Sequence, residues 1–194
     1  MENEIVVMEM MKEPMALGEV FAKSGMFPDI KTQSQAVVKI LAGKELGLSP
    51  FESMASIYIV NGKLALTSKA MSSLIKRSKK YDYAVTKLDD LECSITFFDI
   101  RDKDQRVPLG VSTFTFKDAA KAGLANKDVW KNYPRNMLFA RALSNGTRWY
   151  APDSISGYYT VEEIEDLGEN PLEPAKTTIE LTVEGVTENG QKTI

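Results

Sequence analysis

Asn61-Gly62 separates two short apolar runs, Ile57-Tyr58-Ile59-Val60 and Lys63-Leu64-Ala65-Leu66. A two-residue hairpin turn of type I′ needs φ > 0 at both central positions, and Asn-Gly meets that need at little steric cost. The pattern predicts an antiparallel hairpin over residues 57–66. A second hairpin is expected to pair about residues 93–100 with 107–116. Its loop is charged, with Arg101, Asp102, Lys103, Asp104 and Arg106. A strand near 83–88 precedes it and turns at Asp89-Asp90.

Helix signals surround these strands. Thr32 is a plausible N-cap for a helix over residues 32–47, with Val37, Val38, Leu41, Ala42 and Leu46 at helical spacing and Gly47 in the C′ position. Ser49-Pro50 places a cap before a proline at the first helical position, so a short helix follows to about Ala55. Thr67 or Ser68 caps the next helix, which carries Met71, Leu74 and Ile75 on one face. Lys69, Lys76, Arg77, Lys79 and Lys80 fall on its other side. Short helices are also expected over residues 117–122 and about 161–167. The fold class is therefore α+β: a small antiparallel sheet built from hairpins, flanked by helices, with a disordered acidic C-terminal tail.

The 194 residues suit one domain with a tail, and 43% hydrophobic content is enough for an ordinary core. Residues 1–14 read as an acidic flexible lead-in, residues 15–167 as the core, and residues 168–194 as the disordered tail, poor in large apolar side chains. Charge is unevenly distributed. Residues 15–159 hold 21 Lys and Arg against 14 Asp and Glu, a net of +7, while 1–14 carry −3 and 160–194 carry −7. A basic middle with acidic ends points toward a polyanionic partner. The acidic tail is then a candidate competitor for the same cations.

Much chemistry can be set aside. Without a single histidine, Ser-His-Asp triads, Cys-His pairs and His-ligated zinc are excluded. One cysteine, Cys93, forms no intramolecular disulfide, which suits a reducing cytoplasm. No apolar run is long enough for a membrane helix, and no secretory signal is visible. Gly43-Lys44 and Gly62-Lys63 lack the rest of a P-loop, and no Gly-x-Gly-x-x-Gly occurs. A metal-dependent nuclease would need gathered carboxylates. Asp29-Ile30-Lys31 and the Asp99, Asp102, Asp104 cluster are weak matches to that requirement. No catalytic group, cofactor or metal is expected, which leaves a binding surface.

Residues 126–150 are the most informative stretch. Pro134 opens a helix to about Tyr150. At about 100° per residue, Leu138, Phe139, Ala142, Leu143, Gly146, Trp149 and Tyr150 fall on one side. Arg141 and Arg148 align two turns apart on the opposite side, with Ser144 and Asn145 between them. Lys127, Trp130, Lys131, Tyr133, Arg135, Arg141 and Arg148 interleave cations with aromatic rings, as single-stranded nucleic acid requires. Trp130 and Tyr133 serve equally well to staple the helix start to the core. Because neither arginine lies on the apolar stripe, replacing both is expected to abolish DNA binding and leave the fold intact.

Two blocks carry a family resemblance. The first is Gly47-Leu48-Ser49-Pro50, then Ile57-Tyr58 and the Asn61-Gly62-Lys63 turn. The second is Trp130-x-x-x-Pro134-Arg135-x-Met137-Leu138-x-x-Arg141-Ala142, then Arg148, Gly157 and Tyr159. Over roughly residues 30–166 the chain resembles the phage single-strand annealing proteins of the RecT/Redβ (Bet) group. The resemblance implies ATP-independent binding of single-stranded DNA and annealing of complementary strands in phage-type recombination and DNA repair. A single-stranded DNA-binding protein that protects without annealing is the alternative. It implies a homo-oligomer, as a ring or helical filament, acting in the bacterial host cytoplasm on single strands and annealed duplex. A phage exonuclease and a host single-strand binding protein are the implied protein partners. Carried over by position, Trp130, Arg135, Arg141 and Arg148 match aromatic or basic family positions implicated in DNA binding. Lys69 stands where some relatives have arginine, and Lys131 adjoins the same block. Asn136 and Phe139 depart from the pattern, standing where many relatives have a basic residue.

Overall fold

The computed structural model describes residues 2–102 and 104–167. The expected tail, residues 168–194, lies outside them. The first helix, α1 (Glu2–Ser24), includes residues 2–14, where the sequence pattern suggested a flexible lead-in. Pro14 lies inside this helix. An interior proline usually marks a stop, because it removes an amide and crowds the preceding turn. Tertiary packing carries the helix past it. Leu17, Phe21 and Ala22 pack against a small core of Ile30, Ala36, Ile40 and Met54. Gly18 permits the approach: a Cβ there would sit 2.7 Å from Val37 Cγ2.

The second helix, α2 (Gln33–Glu45), starts at a capping box. The Gln35 amide donates to Thr32 Oγ1 while Gln35 Oε1 accepts from the Thr32 amide, satisfying donors that the helix start would leave unpaired. Ser49 caps α3 (Pro50–Ser56). Two strands follow, β1 (Ile57–Val60) and β2 (Lys63–Leu66), paired antiparallel. Asn61 and Gly62 have φ of 51° and 73°, as the tight turn demands. A late strand, β6 (Tyr159–Thr160), adds to β2 in parallel, with Ala65 opposite Tyr159 and Leu66 opposite Thr160.

Thr67 caps α4 (Ser68–Arg77), which buries Met71, Leu74 and Ile75. The second sheet is an antiparallel meander of β3 (Tyr81–Leu88), β4 (Glu92–Asp99) and β5 (Val107–Thr115). Beyond it lie α5 (Phe116–Lys121), α6 (Asp128–Asn132) and the long α7 (Pro134–Tyr150). A 3-10 turn at Pro152–Ser154, then β6 and α8 (Val161–Leu167), complete the described chain.

α7 lies across β4 and β5, and this contact organises the main core. Alternation along β4 buries Cys93, Ile95 and Phe97. Leu138, Ala142 and Leu143 of α7 join them in one cluster with Met71, Leu74 and Ile75 of α4. Burial pushes the Cys93 thiol up to about 11, so it is an inert packing group. Gly146 sets the helix–sheet distance: a Cβ there would lie 2.1 Å from Phe97 Cε2 and 2.8 Å from Ser112 Cβ. The expected α+β class holds, with one addition. β6 extends the first hairpin in parallel and brings the C-terminal end of the core beside α7.

Candidate nucleic-acid interface

Arg141 and Arg148 share one side of α7, as the helical spacing predicts. That side is covered by α8. Glu163, in the first turn of α8, inserts its carboxylate between the two guanidinium groups and is only 2% exposed. Arg148 Nη1 donates to Glu163 Oε2 at 2.9 Å and Nη2 to Oε1 at 2.7 Å, a bidentate pair. Arg141 Nη1 lies 3.8 Å from the same Oε1. The Ser144 hydroxyl donates to Glu163 Oε2.

The carboxylate also closes a capping box for α8. The Thr160 amide donates to Glu163 Oε2 at 3.0 Å, and the Glu163 amide donates to Thr160 Oγ1 at 3.2 Å. Burial alone would raise the Glu163 pKa. Hydrogen bonds from Arg148 and Ser144, with the charge of Arg148, outweigh burial and hold it below the usual value of 4.5. Arg148 is further fixed by Asn145 Oδ1, which accepts from Nη2 at 2.8 Å. The Tyr159 ring lies 5.1 Å from its guanidinium carbon.

Glu162, one residue earlier, reaches a different element. Its Oε1 accepts from Ser68 Oγ at 3.1 Å, in the first turn of α4 and next to Lys69. Consecutive carboxylates of α8 thus engage the start of α4 and the arginine face of α7.

The remaining sequence candidates divide. Trp130 is fully buried, with its ring 6.1 Å from Phe114, so it cannot stack on a base in this arrangement. This corrects its assignment to the DNA surface. The short helix α6 turns the indole inward, and the stapling role is the one it fills. Arg141 and Arg148, expected off the apolar stripe and replaceable with the fold intact, both converge on a buried carboxylate that ties them to α8. Arg135 is exposed and pairs with Asp90 at 2.8 Å, both side chains largely in solvent. Lys69 and Lys131 are exposed and form no ion pair with described residues. Lys127 Nζ donates to the Glu165 carbonyl at 3.3 Å.

Three rings on these segments are exposed. Tyr133 is 62% exposed, Trp149 60% and Tyr159 43%. Helical arithmetic placed Trp149 on the apolar side. Trp149 is instead 60% exposed. Tyr150 takes that place, its ring 5.7 Å from Phe97 and closely apposed to Gly110, and Trp149 faces outward. Two adjacent aromatics at the end of a stripe were the available signal.

Among the described residues, no group of three or more His, Cys, Asp or Glu side chains could hold a metal ion. Asp29, from the Asp-x-Lys string, accepts instead from buried Lys39 Nζ at 2.8 Å and from the Ile59 amide at 3.0 Å. Asp99 pairs with Arg101 in the hairpin loop. Among the described residues, no helix is long and apolar enough to cross a membrane. Comparison with family models, curated proteins and solved structures finds no match to this chain.

Proposed function

We propose that this chain is a non-enzymatic, ATP-independent single-stranded DNA-binding protein that anneals complementary strands, of the kind the RecT/Redβ resemblance implies. The observation that carries the proposal is the company of rings and cations around α7. Tyr133, between Lys131 and Arg135 in the chain, and Trp149, next to Arg148, are exposed at the two ends of α7, and the exposed Tyr159 ring lies 5.1 Å from the Arg148 guanidinium carbon. Single strands bind where cations follow the phosphates and rings stack on the bases. The net charge of +7 over residues 15–159 supplies the long-range attraction.

Annealing brings together two polyanions. A protein that neutralises one backbone while leaving base edges accessible lowers the repulsive barrier without making or breaking a covalent bond. Copies assembled on one strand, as a ring or filament, would let many weak contacts act together. The proposed setting is a bacterial host cytoplasm during phage-type recombination, with an exonuclease generating the single strands and a host single-strand binding protein as neighbour.

The test mixes a dye-labelled and a quencher-labelled complementary oligonucleotide, added in sequence without ATP. Wild type should accelerate quenching, and Lys131→Gln with Trp149→Ala should remove most of the acceleration. Tight binding that slows quenching would identify a protective binder instead. An absence of binding at low salt would overturn the proposal.

A further inference from the structure

We propose that α8 is a displaceable occupant of an oxyanion site on α7, and that the phosphodiester backbone of a single-stranded nucleic acid takes its place. The inference rests on the nucleic-acid function proposed above and adds the group that competes for the same cations.

The donor set around Glu163 is the kind a phosphate oxygen accepts. It combines a bidentate guanidinium from Arg148, the Ser144 hydroxyl and a second guanidinium from Arg141 at 3.8 Å. All three belong to α7 and stay in register if α8 departs. Arg141, Ser144 and Arg148 sit at i, i+3 and i+7 of one helix, so they stay on one face of α7 for an oxyanion to draw together as Glu163 does. The Thr160 amide and hydroxyl, by contrast, travel with the segment they cap.

α8 is a seven-residue helix held through Glu163, Ile164 and its contacts with α7 and the first sheet. β6 contributes only two residues to its sheet. Ser156 and Gly157 precede it with φ of 47° and 77°, two successive left-handed residues. Among the described side chains of α8, Ile164 is a buried hydrophobic one, at 5% exposure. Glu162 and Glu163 engage the start of α4 and the face of α7 as two successive negative charges, as neighbouring phosphates of a strand would. Residues 168–194, which follow α8 in the sequence, carry five acids against two lysines, a net charge of −3.

A tethered carboxylate competes at a high effective concentration. A lone nucleotide phosphate therefore loses to Glu163. A strand that also engages Lys69, Lys131 and the exposed rings gains enough contacts to displace it. The contact makes binding selective for polymers and lowers apparent affinity by the fraction of molecules in which α8 is released.

The experiment uses the full chain and a dye-labelled oligothymidylate. Glu163→Gln preserves shape and removes the competing charge. At fixed salt it should bind about tenfold more tightly than wild type, with the far-UV circular dichroism unchanged. In wild type, saturation with oligothymidylate should raise hydrogen exchange at residues 160–165 while β4 amides stay protected. Should the variant fail to fold, the wild-type exchange result decides alone. Wild-type binding with protection at 160–165 unchanged, or a folded variant that binds no more tightly, overturns the displacement and leaves the nucleic-acid function standing. Failure of wild type to bind at low salt overturns both.

Discussion

Arg148 closes both terminal nitrogens onto the two oxygens of Glu163, at 2.9 and 2.7 Å, joining the longest helix that covers the second sheet to the last helix of the described chain. The Glu163 side chain is 3% exposed and the Arg148 side chain 26%. One partner is thus removed from water, while the other retains an edge in it.

Arg148→Ala should destabilise the protein. Removing one partner of a buried pair leaves the other charge without compensation, at a cost of about 3–5 kcal/mol. Partial exposure of Arg148 places the expected loss near the low end of that range. Arg148→Lys should recover only part of it, because an ammonium cannot reproduce the planar two-point contact. Urea unfolding of the three proteins checks the order. A stability equal to wild type in Arg148→Ala would show that Glu163 is held by Ser144 and Thr160 alone.

The same carboxylate makes a signed prediction about pH. Its pKa is lower in the folded protein than the ordinary 4.5. The unfolded chain therefore binds more protons between the two values, and stability rises with pH across that window. The contribution is complete above about pH 4.5 and is lost as pH falls through the folded value. Asp82, Asp118 and Asp153 are depressed as well, so wild type alone does not isolate Glu163. The difference in stability between wild type and Glu163→Gln should shrink as pH falls below 4.5. A difference that stays constant to pH 3, about one unit below the ordinary carboxylate range, would refute the assignment.

Local signals and remote ones fared differently in the sequence. Thr32 with Gln35, Asn61-Gly62, Thr67 and Pro134 each act through bonds or torsions within a few residues, so the sequence shows the elements they start. The alternation that buries Cys93, Ile95 and Phe97 is local too. Glu163 is different. Its partners lie 15 and 19 residues away at Arg148 and Ser144, across a turn and a parallel strand pair. No periodicity reports that meeting. The two arginines were therefore legible as a shared face but not as a filled one. The helical start of the chain was hidden by Pro14, whose local penalty is overridden by packing of Leu17 and Phe21 onto another helix. Trp130 could not be placed by type alone, because an indole suits a core and a base-stacking surface equally well.

The two tryptophans should separate stability from binding. Trp130→Ala empties a fully buried site and should cost about 3–5 kcal/mol. Trp149 is 60% exposed, so its replacement should leave stability within about 0.5 kcal/mol. If Trp149 stacks on a base, Trp149→Ala should weaken oligothymidylate binding by about 1–3 kcal/mol. Thermal unfolding and fluorescence anisotropy measure the two effects independently. A binding loss confined to Trp130→Ala that tracks unfolding would remove Trp149 from the interface.

Gly146→Ala tests how tightly α7 sits on the sheet. Alanine favours a helix interior by about 1 kcal/mol over glycine. Here the added methyl would meet Phe97 Cε2 at 2.1 Å, and Phe97 is fully buried and cannot swing aside. Overpacking of this kind costs about 1–3 kcal/mol, and a contact this short belongs at the upper end. The clash should exceed the gain in propensity, so the melting temperature should fall. A rise would mean that α7 can lift from β4 without loss.

Lys69 and Lys131 are exposed and form no ion pair with described residues, so a phosphate can engage either without first breaking an internal contact. Each cation that neutralises a phosphate of a single strand contributes about −0.7 to the slope of log affinity against log salt. Lys69→Gln and Lys131→Gln should each flatten the slope by that amount and together by about twice as much, since surface charges that share no partner act independently. Neither change should alter stability by more than about 0.5 kcal/mol, because both side chains stand in solvent. The slope distinguishes direct contact from long-range attraction. A lysine that only contributes to the general field lowers affinity at low salt, but it releases no counterion of its own from the strand. An unchanged slope with reduced affinity would therefore move that lysine off the strand's path and leave the rings of Tyr133, Trp149 and Tyr159 as the better guide to where the strand runs.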